Sequence, residues 1–141
     1  MSKEDGPYGN LDVSHVIYAV GPYYGPSFSS DRDIQINDNL LQKAYQASLE
    51  RAKEHELEVV AFSLLSAGRR SAQWDPHRSL RIAMRTLCEY GDYGSLKEIH
   101  LCAFTNNEVL ALESIANEFG LLEDGERNGK RRGGRRPSLD E

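Results

Sequence analysis

The hydrophobic positions alternate between two periods along the chain. His15-Val16-Ile17-Tyr18-Ala19-Val20 is a short β-rich apolar run closed by Gly21-Pro22, which predicts a buried strand. Residues 23–37 carry Gly, Pro, Ser and Asp without a period and read as a loop. From Asp38 to His55 the spacing becomes helical. Leu41, Ala44, Tyr45, Ser48, Leu49 and Ala52 share one face, and Gln42, Lys43, Gln46, Glu50, Arg51 and Lys53 lie opposite. Residues 57–65, Leu57 to Leu65, form a second apolar run that predicts another buried strand, followed by a polar turn from Ser66 to Trp74.

Asp75-Pro76 has the form of a helix start: the Asp side chain caps free amides, and Pro suits the first helical position. Leu80, Ala83, Met84, Leu87 and Cys88 supply the apolar stripe of that helix. A third strand is expected over 97–104. Thr105-Asn106-Asn107-Glu108 is a capping box that opens a helix through Val109, Leu110, Leu112, Ile115, Ala116 and Phe119, stopped by Gly120. The order βαβαβα implies α/β architecture, with a mostly parallel sheet covered by crossover helices. Such sheets bind ligands beyond the carboxyl ends of their strands. Here those ends are Gly21-Pro22, Ser66–Ser71 and Phe104–Asn107.

Composition narrows the picture. A chain of 141 residues suits one domain. The expected division is a lead-in at 1–14, an α/β domain at 15–120 and a disordered basic tail at 121–141. No apolar run approaches the ~18 residues of a membrane span, and the first residues lack the apolar core of a signal peptide. The expected location is therefore cytoplasmic or nuclear, away from membranes. Cys88 and Cys102 stand apart, with no CxxC and no paired His spacing, which argues against a disulfide framework and a structural zinc site. Residues 1–125 carry eleven basic and nineteen acidic side chains, net −8, whereas 126–141 are net +3. So acidic a domain is a poor nucleic-acid binder, because phosphate neutralisation dominates that affinity; only the tail suits such a partner.

The sharpest local signal is Ser63-Leu64-Leu65-Ser66-Ala67-Gly68, a buried strand ending in small residues. There the backbone can approach a ligand and offer amides to an anion. Arg78, Arg81 and Arg85 share one stripe opposite the apolar face of their helix and read as a solvated face. His15, His55, His77 and His100 are scattered, with no Ser or Cys at catalytic spacing. No carboxylate pair is placed for acid–base work. The expectation is no catalytic residue, no metal and no cofactor. In the tail, Arg135-Arg136-Pro137-Ser138 fits basophilic kinases and marks Ser138 as a candidate phosphosite. Lys130–Arg136 reads as a localisation signal, an RNA contact or a solubilising segment.

In this context Val16-Ile17-Tyr18-Ala19-Val20-Gly21-Pro22 resembles the strand ending in HAVGP of the macrodomain family, with Tyr18 in place of His. Asn37–Glu56 resembles the helix that follows it. Val59–Gly68 resembles the family's IAFPAISTG segment, and the SLRIAMRTLCEY and EIHLCAF segments match the next helix and last strand. The resemblance runs colinearly over about 8–119. It implies a three-layer α/β/α sandwich that binds ADP-ribose, free or protein-attached. Some members hydrolyse ADP-ribose esters.

The same resemblance implies that the family's N-terminal strands are lacking here, together with its adenine-reading Asp and its NAAN segment. One lacking strand is expected between the last strand and the 59–65 strand. Either the remaining strands close up, or a protein partner completes the sheet, or the chain is a fragment. By position, Ser66, Ala67, Gly68, Arg69, Arg70 and Ser71 fall on the family's phosphate and ribose loop. Phe104 falls where an aromatic flanks adenine, with Asn107 just beyond; Phe104 reads equally as a core aromatic at a strand end. The expected function is recognition of ADP-ribose or a related nucleotide diphosphate. The alternatives are ester hydrolysis with the lacking segments supplied, and a non-binding remnant that acts through protein interaction.

Overall fold

The computed structural model describes residues 8–25, 30–67 and 75–122. Its elements are helix α1 (Asp31–Glu54), strand β1 (Val59–Ser63), helix α2 (Pro76–Glu89), strand β2 (Glu98–Cys102) and helix α3 (Asn106–Glu118). Helix α1 starts ahead of the expected Asp38, because Ser30 is its cap. The Ser30 hydroxyl accepts from the Asp33 amide at 3.2 Å, and Asp31 and Asp33 place negative charge in the first turn, where the helix dipole favours it. The other ends form as the sequence indicates. Asp75 caps α2, and α3 has its full capping box. Gly120, at φ +67°, closes a Schellman turn in which the Leu121 amide donates to the Ala116 carbonyl at 2.9 Å.

Strands β1 and β2 pair in parallel, Val59 opposite Glu98 and Ser63 opposite Cys102. The gap expected between these two strands is therefore absent: they are direct neighbours. Register puts Val60, Phe62, Ile99 and Leu101 on one face. That face packs on Leu41, Tyr45, Leu49 and Ala52 of α1 and on Ala83 and Leu87 of α2. A second cluster joins Leu80 and Met84 of α2 to Ala111 and Ile115 of α3, with Leu101 against it. The opposite sheet face carries Val59, Ala61, Ser63, Glu98, His100 and Cys102, all exposed. Among the described residues the helices thus cover one face of the sheet, two layers of the three expected. Cys88 is exposed rather than part of the apolar stripe. Thr86 is buried instead, its hydroxyl donating to the Ile82 carbonyl at 2.7 Å.

The segment 15–20 does not form the buried strand its composition predicts. It lies along β1 in the same direction: its start shares a groove with Leu57, and Pro22 accepts a 2.6 Å hydrogen bond from the Ser66 hydroxyl. Yet no backbone hydrogen bond joins the two among the described residues. Ile17 packs against the core, whereas Tyr18 and Val20 are each 88% exposed. Apolar alternation fixes which face turns inward, but a ladder also needs a neighbour at ~4.8 Å in register.

The arginine stripe of α2 is likewise more than a solvated face. Arg78 donates through Nε (3.0 Å) and a terminal nitrogen (2.5 Å) to Asp38 of α1. Asp38 also accepts the Tyr24 hydroxyl at 2.9 Å. Burial first, and then this bond, raise the Tyr24 phenol above its ordinary range. Arg81 grips Glu118 of α3 with two bonds of 2.9 and 3.0 Å. The clamps join α2 to both neighbouring helices.

Two predictions follow from this packing. In Tyr45→Phe the ring stays, but the Leu65 amide, which donates to the Tyr45 hydroxyl at 3.1 Å, loses its acceptor. Urea unfolding is expected to show a loss of ~1–3 kcal/mol with an unchanged slope. The second concerns acid. Hydrogen bonds from Lys53 and Arg81 hold Asp92 and Glu118 below the usual carboxylate range. A carboxylate depressed in the folded state lends stability above its unfolded value and loses it as pH falls through the folded one. The thermal midpoint of Asp92→Asn/Glu118→Gln is therefore expected to fall less steeply than wild type below about pH 4, and high salt should narrow the difference.

Candidate functional site

At the carboxyl ends of β1 and β2 lies an open cleft of about 840 Å³. Its walls come from Ser63, Leu64 and Ala67 after β1, Pro76 and His77 at the start of α2, Cys102, Phe104 and Thr105 after β2, and Asn107, Glu108, Leu110 and Ala111 of α3. Parallel pairing creates it, since both strands end on the same edge and both following helices begin there. Phe104 stands at its mouth, 95% exposed. It is therefore not a core aromatic, and both faces of its ring are open for stacking.

The electrostatics are set by caps. One Glu108 carboxylate oxygen accepts from the Phe104 and Thr105 amides, each at 2.7 Å. The Thr105 hydroxyl accepts from the Glu108 amide at 3.3 Å. The Asp75 carboxylate accepts from the His77 amide at 2.9 Å and lies 3.2 Å from the His77 ring. Both helix N-termini thus already hold a carboxylate of their own chain. Of the first-turn amides of α3, those of Asn106 and Asn107 have no described backbone or side-chain partner. The described hydrogen bonds within the cleft are those of a scaffold.

Of the site residues read from sequence, Ala67, Phe104 and Asn107 line this cleft together. Ser66 borders it, but its hydroxyl is turned to the Pro22 carbonyl at 2.6 Å, and its backbone is left-handed at φ +58°. Strain at Ser66 bends the chain sharply at the end of β1, which a glycine would do without cost. Gly68, Arg69, Arg70, Ser71 and the tail with Ser138 lie outside the described residues. His77, Cys102 and Glu108 belong to the cleft although they were not singled out as its walls. The Asp75-Pro76 start and the Thr105–Glu108 box were the signals that placed two of them there. Among the described residues no cluster of three or more His, Cys, Asp or Glu side chains is placed to hold a metal. No described helix is long and apolar enough to cross a membrane.

A family model described as Macro domain matches residues 7–83. The chain belongs to the macro domain family. Curated macro domain relatives agree. A macro domain-containing protein of Caldanaerobacter subterraneus subsp. tengcongensis is 33% identical over 100 residues, covering 71% of this chain and 53% of that protein. One of Ralstonia nicotianae is 29% identical over 108 residues, covering 77% and 57%. The chain thus spans about half the length of the curated macro domain proteins it matches. Among solved structures, the Oceanobacillus iheyensis macrodomain with ADP superposes with a TM-score of 0.52 at 22% identity, over 69% of this chain and 49% of that one. The same macrodomain with MES gives 0.56 at 18% identity, over 69% and 49%. These likenesses establish the macrodomain α/β fold. Members of the family bind ADP-ribose.

Replacing Glu108 by Gln removes the charge that holds two amides of this macrodomain cleft. The expected cost is ~1–2 kcal/mol in denaturant unfolding, with faster hydrogen exchange at Phe104 and Thr105 than elsewhere in α3.

Proposed function

We propose that this chain recognises ADP-ribose or a related nucleotide diphosphate, free or attached to protein, in the cleft beyond β1 and β2. One observation carries the reading: an aromatic ring 95% exposed at the mouth of a concave site, beside an asparagine and two helix amides with no partner among the described residues. A solvent-facing Phe gains little from water, and a purine gains a flat apolar surface by stacking on it. Asn107 supplies both a donor and an acceptor at the base edge. The diphosphate is assigned to Ser66–Ser71, a sequence that opens in small residues and carries Arg69 and Arg70 to neutralise charge. Binding is favoured over ester hydrolysis because the described bonds of His77 and Glu108 are to caps, with no acid–base pair joined across the cleft.

Isothermal titration with ADP-ribose tests this, alongside thermal unfolding to show that each protein is folded. Saturable binding is expected. Phe104→Ala should weaken it by ~1–3 kcal/mol, about 5- to 150-fold. Arg69→Ala/Arg70→Ala should also weaken it and reduce its dependence on salt. A cooperatively folded wild type that releases no heat with ADP-ribose at any concentration would overturn the proposal.

A further inference from the structure

Extended backbone leaves alternate N–H and C=O groups along each edge, and an exposed apolar edge pairs with other chains. Residues 16–20 leave such backbone groups open, with Val16, Ile17 and Ala19 half-buried. Their backbone has no hydrogen bond among the described residues, and Tyr18 and Val20 point outward almost fully exposed. Charge is a second, independent observation. Residues 13–30 contain no Asp, Glu, Lys or Arg, the longest such run in the chain, within a stretch 1–125 of net charge −8. Two copies meeting through other acidic surfaces bring carboxylates together, whereas this segment brings none. Edge strands are ordinarily guarded by an inward charge, a lysine or a proline within the strand. Here the nearest proline, Pro22, lies beyond it.

We infer that this segment is a self-association surface on which two copies of the chain pair Val16–Val20 antiparallel, about a two-fold axis through Tyr18. Such an interface is isologous. Tyr18 then opposes Tyr18 of the second copy, and Val16 opposes Val20. The apolar side chains at 16, 18 and 20 of both copies form one continuous face. Pairing supplies the backbone partners that the segment does not find along β1. With about five residues a side, the contact belongs with small, transient interfaces, so the dimer is weak. Repulsion between the acidic bodies makes it tighter at higher salt, the reverse of an interface held by ion pairs. This inference stands apart from the ADP-ribose reading, since the segment does not line the cleft.

Sedimentation velocity of the full chain, from ~5 to ~500 μM at low and high salt, is the direct test, the upper range being chosen for a weak interface. The mean mass is expected to rise toward twice the monomer with concentration, and at lower concentration in high salt. Tyr18→Lys and Tyr18→Glu each place like charges face to face across the axis and should weaken association at least ~10-fold. Their equimolar mixture should recover a heterodimer. Because Tyr18 is exposed, the thermal midpoints should stay near wild type. In the wild type, hydrogen exchange should show protection of alternate amides within 16–20 that grows with concentration. A wild type monomeric throughout the range overturns the inference, as do charge variants that associate like wild type. A mixture that stays monomeric while each variant is monomeric overturns the two-fold pairing.

Discussion

The phenol of Tyr45 is the point at which the layers of this molecule are fixed to one another. It is fully buried, its ring lies 5.4 Å from that of Phe62, and its hydroxyl takes the Leu65 amide just after β1. Burial pushes its pKa up to about 12, so it stays neutral and costs no buried charge. Helix α1 is thereby set both in height and in rotation against β1. The direction of the chain leaving β1 depends on the same bond, and Ser66 then turns it through a left-handed conformation. The cleft wall at Ala67 inherits its position from that turn. A leucine at 45 would fill part of the volume but would leave the amide without an acceptor, and the exit from β1 would lose its fixed direction.

The other side of β1 shows what the same sheet lacks. Residues 15–22 follow β1 and pack a half-buried Ile17 against the core, and Ser66 ties down their far end, yet no ladder forms among the described residues. Packing and backbone pairing are separate requirements, and this segment meets only the first. The close approach at Gly21 explains part of the geometry. A Cβ there would lie 2.5 Å from the Ser66 hydroxyl oxygen and 3.2 Å from the Leu65 Cβ, so the chain meets the end of β1 only because residue 21 is glycine.

Local chemistry was legible in the sequence where one short-range signal decided the outcome. Asp75-Pro76, Thr105–Glu108 and Gly120 marked helix ends correctly, because a cap depends on residues within one turn. The α/β class and the parallel pairing followed from the alternation of periods. The Ser30 cap was hidden among glycines, prolines and serines, where a run of turn formers masks a single capping serine. The ladderless 15–20 was not legible at all, because periodicity reports which face is buried and says nothing of whether a neighbouring strand is in reach. The roles of Arg78 and Arg81 were hidden for a related reason. Their partners, Asp38 and Glu118, lie 40 and 37 residues away. For the cleft, the strand ends named the edge, and Ala67, Phe104 and Asn107 met there.

The caps that were legible also constrain how a nucleotide diphosphate would lie in the cleft. A free helix N-terminus attracts anions, but the amides before α3 are already held by the Glu108 carboxylate, and α2 by that of Asp75. Each places a formal negative charge at a helix start, and a phosphate brought beside it is repelled, the more weakly the more water lies between them. The side of the cleft near Glu108 therefore disfavours phosphate and suits the neutral base, whose amino group is a hydrogen-bond donor. The diphosphate is assigned to the sequence after Ala67, which carries Arg69 and Arg70. The proposed orientation is therefore the base on Phe104, away from the phosphates. That orientation rests on the Glu108 carboxylate beside Phe104, so a residue that finishes a helix also sets the polarity proposed for the site.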